Sequence, residues 1–238
     1  MKCYAFGYAG SGDNVFREMR LTGVESVKQF VYPGRGSRAE EAFASSIPAL
    51  AQLAVDETEN NGQPVLLLGY SLGALVAYEV AVRLTALQRP VAGLVVCAMN
   101  APGCMRGTRQ VHNMSLTELT DWLRKLGGTP EVVLDSQELM MLFAPAIRAD
   151  YRILDSYVAQ PQCVLNCPIT VIYGREDRLT DVSGLQNWQS LTMGGTRYVA
   201  LPGGHFFLQQ MPSFVSAIEL SLSRSVKGAM VQCPHKYC

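Results

Sequence analysis

"VLLLGYSLGALVAYEV", residues 65–80, decides the fold. Apolar residues run into a turn that places Ser71 between Gly69 and Gly73, and an apolar stretch with helical spacing follows. A buried strand that becomes a helix at such a serine matches the G-x-S-x-G elbow, where a nucleophile stands on a strained turn. The plain alternative is an ordinary strand-to-helix connection that contains a serine. The glycines favour the first reading, because side chains at 69 and 73 would collide with segments that the turn draws close. A helix starting after Ser71 also aims backbone N–H groups at negative charge developing there.

Outward from this point the chain alternates strand and helix. "KCYAF" (2–6) and "VKQFV" (27–31) read as strands separated by a helical "NVFREMRL", and "IPALAQLAVDETEN" (47–60) has helical spacing with Pro48 in its first turn. "VAGLVVCAM" (91–99), "CPITVIYG" (167–174) and "TRYVAL" (196–201) are further strands; "DVSGLQNWQSL" and "FFLQQMPSFVSAIELSLSR" are helices. The strands are continuous apolar runs, as expected of a mostly parallel sheet covered by helices on both faces. From about 104 to 165 the alternation stops. "SLTELTDWLRKLGG", with Ser115 and Glu118 as a capping box, and "SQELMMLFAPAIRADYRILDSYV" are helical, which predicts a helical lid inserted at 104–165 into a core of 1–103 and 166–226. The tail 227–238 has no periodicity and is expected to be mobile.

Bulk properties exclude several classes. Of 238 residues 48% are hydrophobic and 17% charged, which suits a packed α/β domain and not a disordered chain. A formal net charge of zero, from 20 basic and 20 acidic residues, argues against a nucleic-acid partner. No run approaches the roughly 20 apolar residues of a membrane span, and the N-terminus has no signal-peptide pattern, so a cytoplasmic protein is expected. Seven scattered cysteines fit reduced thiols, and Cys163 and Cys167 lack the second pair a zinc site needs.

If Ser71 is a nucleophile it needs a base. Of three histidines, His235 lies in the tail and His112 in the insertion, whereas His205 follows the last strand, where this arrangement places its base. The third member must orient the imidazole. Asp177, on the turn after the strand ending at Gly174, holds that position; Asp181 is a rival that reads better as a helix N-cap. The order Ser71, Asp177, His205 is that of the α/β-hydrolase fold. Oxyanion donors are expected from the backbone N–H of Leu72 and, on the loop "FGYAGSG" after the first strand, of Ala9.

"YAGSG", "YPGRGSR" (32–38), "GYSLGALVAYEVA" (69–81), "IRADYRILDSY" (147–157), "CPITVIYGREDRL" (167–179) and "LPGGHFFL" (201–208) occur in order across roughly residues 2 to 222. This combination resembles the type II thioesterases, stand-alone editing hydrolases of nonribosomal peptide and polyketide assembly lines. The resemblance implies hydrolysis of acyl thioesters from the phosphopantetheine arm of acyl or peptidyl carrier proteins, the phosphopantetheine belonging to the substrate and no cofactor to the enzyme; the fold gives no reason to expect more than a monomer. Two positions depart from the family: Tyr70 stands where it usually has His, and Gly7 where it usually has Pro. Tyr70 is expected to change packing and not activity, Gly7 to loosen the loop that carries Ala9. Arg148 and Asp150 are expected to pair at the base of the lid.

The insertion is the expected specificity element, with Met140, Met141 and Phe143 lining an adaptable acyl pocket. Arg106, Arg109, Arg124 and Lys125 are its basic residues and the candidates for docking an acidic carrier. A general carboxylesterase shares the triad but has no need of "PGRGSR" or "IRADY". A macrocyclising domain is disfavoured by a first strand that begins at once after Met1, and a binding protein on an inactive scaffold by the presence of all three triad residues.

Overall fold

The computed structural model describes residues 1–104, 110–159 and 163–222. Among these residues six strands form one sheet: β1 (Lys2–Phe6), β2 (Ser26–Phe30), β3 (Val65–Tyr70), β4 (Val91–Cys97), β5 (Ile169–Gly174) and β6 (Thr196–Leu201). Their order is β2-β1-β3-β4-β5-β6, and every neighbouring pair is parallel. The chain leaves β1 for one edge and returns to β3 on the other side, so β1 and β3 flank the point where the winding reverses. In open α/β sheets, sites form beyond the carboxyl ends of the strands at such a point.

Alternate residues of each strand feed two separate cores. Tyr4, Phe6, Leu67, Leu94, Val96, Ile169 and Val171 face one side, with α1 (Ile47–Glu57) and α2 (Leu72–Ala86). Cys3, Ala5, Leu66, Leu68, Tyr70, Val95, Cys97 and Ile172 face the other, with α7 (Met211–Leu222). The continuous apolar runs read from the sequence are therefore strands buried on both faces. Five cysteines are free thiols among the described residues, and burial pushes Cys3 up to about 12 and Cys167 to about 11.

Three local expectations change. "NVFREMRL" forms turns and not a helix, with the N–H of Arg17 donating to Asn14 and that of Met19 to Phe16. Eight residues barely offset the cost of nucleating a helix, and the turns let Phe16, Met19 and Leu21 all reach the second core. The last helix starts at Met211 after a separate 3-10 turn, Phe207–Gln209, because Pro212 can open a helix but not continue one. A short α4 (Glu131–Leu134), absent from the sequence reading, precedes α5 (Gln137–Asp155); α6 (Val182–Gln186) follows β5.

The segment between β4 and β5 holds α3 (Leu116–Leu126), α4 and α5. The capping box at α3 is present: Ser115 Oγ accepts the Glu118 N–H, and the Glu118 carboxylate accepts the Ser115 N–H. Met140, Ala144, Ile147 and Tyr151 of α5 turn one helical face into the first core, so the insertion packs as part of it. The expected Arg148–Asp150 pair does not form. Two helix positions two apart lie about 200° around the axis from each other and cannot meet. Arg148 donates instead to the Met114 carbonyl at 2.8 Å.

Asp150 pairs with Arg35 of "PGRGSR". Arg35 Nη1 and Nη2 meet the two carboxylate oxygens at 2.5 and 2.7 Å, and Asp150 Oδ2 also accepts the Gly10 N–H at 2.7 Å. The guanidinium lies 5.4 Å above the Tyr32 ring, and the Tyr32 hydroxyl donates to the Gly7 carbonyl at 2.9 Å. Burial raises the Asp150 pKa and the Arg35 contact opposes that rise. Truncating one partner leaves the other's charge buried and alone, so Asp150→Ala is expected to lose about 3–5 kcal/mol of stability in urea unfolding. The double replacement Arg35→Met with Asp150→Leu is expected to lose less.

Candidate active site

The turn at Ser71 follows from two backbone contacts. A Cβ on Gly69 would lie 2.1 Å from the Gly73 carbonyl oxygen, and one on Gly73 would lie 2.1 Å from the carbonyl oxygen of Phe6. Glycine at both positions lets β3 bend sharply into α2 while α2 presses on the end of β1. Ser71 carries the bend, at φ 53° and ψ −119°, a backbone conformation that costs a non-glycine residue about 1–3 kcal/mol. Its N–H donates to the Cys97 carbonyl at 2.8 Å, which fixes the turn to β4. Ser71 precedes the first helical residue, yet its hydroxyl makes no capping bond.

That hydroxyl faces His205. Ser71 Oγ lies 3.0 Å from His205 Nε2, and His205 Nδ1 lies 2.9 Å from Asp177 Oδ2. A carboxylate only accepts, so Nδ1 carries the proton and Nε2 is left to accept from the serine. All three residues are buried. The second Asp177 oxygen accepts the Leu179 N–H at 2.9 Å, so the carboxylate is held at both oxygens.

Strand register explains why Asp177 and His205 meet. Gly174 of β5 pairs with Leu201 of β6, so the two strands end level and their loops leave side by side. Glu176 then joins the loops: its N–H donates to the Gly203 carbonyl at 3.1 Å, and its carboxylate accepts the Gly203 N–H. The rival Asp181 is committed elsewhere. It caps α6 by accepting the Gly184 N–H at 2.9 Å, and its other oxygen accepts from Asn100 at 3.0 Å.

The loop after β1 is braced, against the expectation that Gly7 loosens it. Tyr32 holds the Gly7 carbonyl and Asp150 the Gly10 N–H, while the Ser11 N–H donates to the Tyr8 carbonyl at 3.0 Å. Those bonds remove Gly10 and Ser11 as oxyanion donors and leave Ala9 as the candidate, with Leu72 at the first turn of α2. The contact of Gly73 with Phe6 draws these two segments together.

The proposed acyl-pocket residues are not brought to one wall. Met140 is 1% exposed within the first core, whereas Met141 and Phe143 are 60% and 43% exposed. Met141 and Phe143 stand two residues apart, hence about 200° apart around α5. Among the docking candidates, Arg124 already meets Glu131 at 3.1 Å, Asp135 at 2.9 Å and Asp121 at 3.7 Å, so it is no free basic point. Lys125 is exposed, and Arg106 and Arg109 lie outside the described residues, as does the tail with His235.

Arg35, Glu176 and the hydroxyls of Tyr32 and Tyr70 are site-building groups that the sequence reading did not assign. Arg35 was legible only as part of a motif, because its partner stands 115 residues later. No group of three or more His, Cys, Asp or Glu side chains that could hold a metal ion occurs among the described residues.

Residues 2–222 match the thioesterase domain family. The chain belongs to the thioesterase family. A probable cadicidin biosynthesis thioesterase from Streptomyces griseus is 30% identical over 88% of this thioesterase and 59% of its own length. This chain thus spans under two thirds of that relative. The gramicidin S biosynthesis protein GrsT from Aneurinibacillus migulanus is 28% identical over 88% of this thioesterase and 84% of its own chain. Among solved structures, the RedJ thioesterase of the prodiginine pathway in Streptomyces coelicolor superposes with a TM-score of 0.84 at 30% identity, covering 93% of this chain and 85% of its own. The sheet and its helices are those of the α/β-hydrolase fold. No described helix of this thioesterase is long and apolar enough to cross a membrane.

Two substitutions probe the geometry. Gly73→Ala places a methyl on a main-chain carbonyl that cannot rotate away, and it is expected to lower stability by more than about 3 kcal/mol, read by urea unfolding. Asp177→Asn keeps the shape but offers Nδ1 an amide that can favour the wrong tautomer. It is expected to lower turnover by about 10³–10⁴-fold, measured at saturating thioester, with the fold intact by circular dichroism.

Proposed function

We propose that this thioesterase clears aberrant or stalled acyl groups from the phosphopantetheine arms of acyl or peptidyl carrier proteins in nonribosomal peptide or polyketide assembly. The hydrogen-bonded line Asp177–His205–Ser71, ending on a serine whose hydroxyl is not spent on its helix, carries the reading. The names of the relatives, which point to cadicidin, gramicidin S and prodiginine biosynthesis, support the setting.

In this reaction Ser71 Oγ attacks the thioester carbonyl carbon while His205 Nε2 takes its proton. The carbonyl oxygen becomes an oxyanion that the N–H groups of Leu72 and Ala9 stabilise. The C–S bond then breaks, and the imidazolium returns its proton to the departing sulfur. Asp177 stabilises the transient imidazolium and keeps it oriented. Water enters, gives a proton to Nε2 and attacks the acyl-serine; the C–Oγ bond breaks, the proton passes to Oγ, and the acid leaves. A thiol with a pKa near 8.5 leaves far more readily than an amine, so modest acid assistance is enough.

The phosphopantetheine belongs to the substrate in this reading, and the enzyme works as a cytoplasmic monomer without a cofactor of its own. The test compares release of one acyl group from a carrier protein and from a short thiol, with Ser71→Ala as control. Faster release from the carrier, abolished by the substitution, is expected. Equal release from both would remove the carrier from the reaction and leave a general esterase.

A further inference from the structure

The strand carrying the nucleophile and the strand preceding His205 are not neighbours. β4 and β5 lie between β3 and β6, which at about 4.8 Å per strand separates their ends by roughly 14 Å. The loop after β6 must run back across the strand ends to bring Nε2 to Ser71. Glu176 ties the root of that loop to the neighbouring turn, but it does not reach toward β3.

Tyr70 supplies the missing anchor. Its side chain leaves the end of β3 into the second core, fully buried. Its hydroxyl donates to the main-chain carbonyl of His205 at 2.5 Å and lies 3.4 Å from the Leu208 amide nitrogen, whose N–H it accepts. The ring centroid is 5.1 Å from that of Phe207 and 6.0 Å from that of Phe214, and it meets the imidazole nearly edge-on at 6.3 Å. Burial raises the phenol pKa further, so the hydroxyl keeps the proton it donates. Two consecutive residues therefore grip His205 at two points: Ser71 at the ring, Tyr70 at the backbone. This differs from the expectation that Tyr70 alters packing alone.

We propose that Tyr70 is a positioning residue for His205, and that its hydroxyl, beyond the packing of its ring, sets how often the imidazole meets Ser71 in a productive pose. The proposal rests on the triad reading given above. Without the hydroxyl, the loop keeps its aromatic contacts and its tie to Glu176 but loses its hydrogen bond to the end of β3. A misplacement of about 1 Å at the base can cost turnover as much as 10²-fold.

The test substitutes Tyr70→Phe and follows two reactions: hydrolysis of an acyl thioester of a short thiol, and covalent labelling by a fluorophosphonate. The expected result is a fall in kcat of about tenfold or more, with KM changed less than about twofold and the labelling rate falling in parallel. A role in packing alone would lower Tm and leave kcat of the folded fraction unchanged. Should Tyr70→Phe fail to fold, 4-aminophenylalanine and 4-fluorophenylalanine at position 70 replace it. The amine keeps a donor and is expected to retain activity; the fluorine fills the space without donating and is expected to lose it. Wild-type kcat and labelling rate in folded Tyr70→Phe, or equal activity of the amino and fluoro variants, overturns the proposal. A wild-type chain without Ser71-dependent turnover overturns the triad reading itself, and that outcome is visible before any Tyr70 variant is compared.

Discussion

The site depends on one backbone-to-backbone contact, the seat of Gly73 against the carbonyl of Phe6. It lets α2 begin directly at the end of β1, and Gly69 lets β3 turn beneath it. Three consequences follow at once. Ser71 is forced to positive φ, which lifts its side chain off the helix start. The first N–H groups of α2 converge on the space beside it. The loop after β1, which carries the proposed donor Ala9, is drawn to the start of α2. The strain stored at Ser71 persists because burial of β3 and α2, both almost wholly in the core, over-determines the turn.

The insertion contributes more than a cover. Asp150 of α5 closes a bidentate pair with Arg35 and also holds the Gly10 N–H beside Ala9. Helix α5 of the insertion is thereby fastened to the loop that carries the proposed oxyanion donor Ala9. A buried ion pair of this kind contributes little net stability, since desolvation of both charges offsets most of their attraction. Its value lies in direction: Tyr32 and Asp150, from two distant parts of the chain, hold one loop, and Arg35 links them. Two motifs that looked unrelated, "PGRGSR" and "RAD", are the halves of one contact.

How much of this was legible follows from sequence distance. The elbow could be read because β3, Ser71 and α2 are contiguous and their chemistry is local. Asp177 and His205 could be found because a parallel sheet places functional residues at strand ends, and only one histidine stood there. Asp181 could be set aside because helix caps are short-range. The Arg35–Asp150 pair is not legible because no periodicity links residues 115 positions apart, and the pairing with Arg148 expected from their shared motif is one that helical geometry forbids. Met140, Met141 and Phe143 share a motif but not a face, which composition does not reveal. The turn at "NVFREMRL" defeated a helical reading because tertiary burial of Phe16, Met19 and Leu21 outweighs weak local propensity.

The remaining question is how a triad spread over three strands comes to hold hydrogen-bond geometry. Side chains alone would not do it, because Ser71, Asp177 and His205 each ride on a turn or loop, the elements with most freedom to drift. The structure instead fixes the backbone beneath each one. Ser71 is held by the Cys97 carbonyl, the turn of Asp177 by Gly174 and Gly203, and the loop of His205 by Glu176 at Gly203 and by Tyr70 at the His205 carbonyl. Most of these ties lie within one strand end or between adjacent ones, and Tyr70 alone among them spans from β3 to the loop after β6, so the rigidity of the sheet is carried into the loops. Catalytic geometry here is a property of main-chain ties, and the Tyr70 hydroxyl makes one of them.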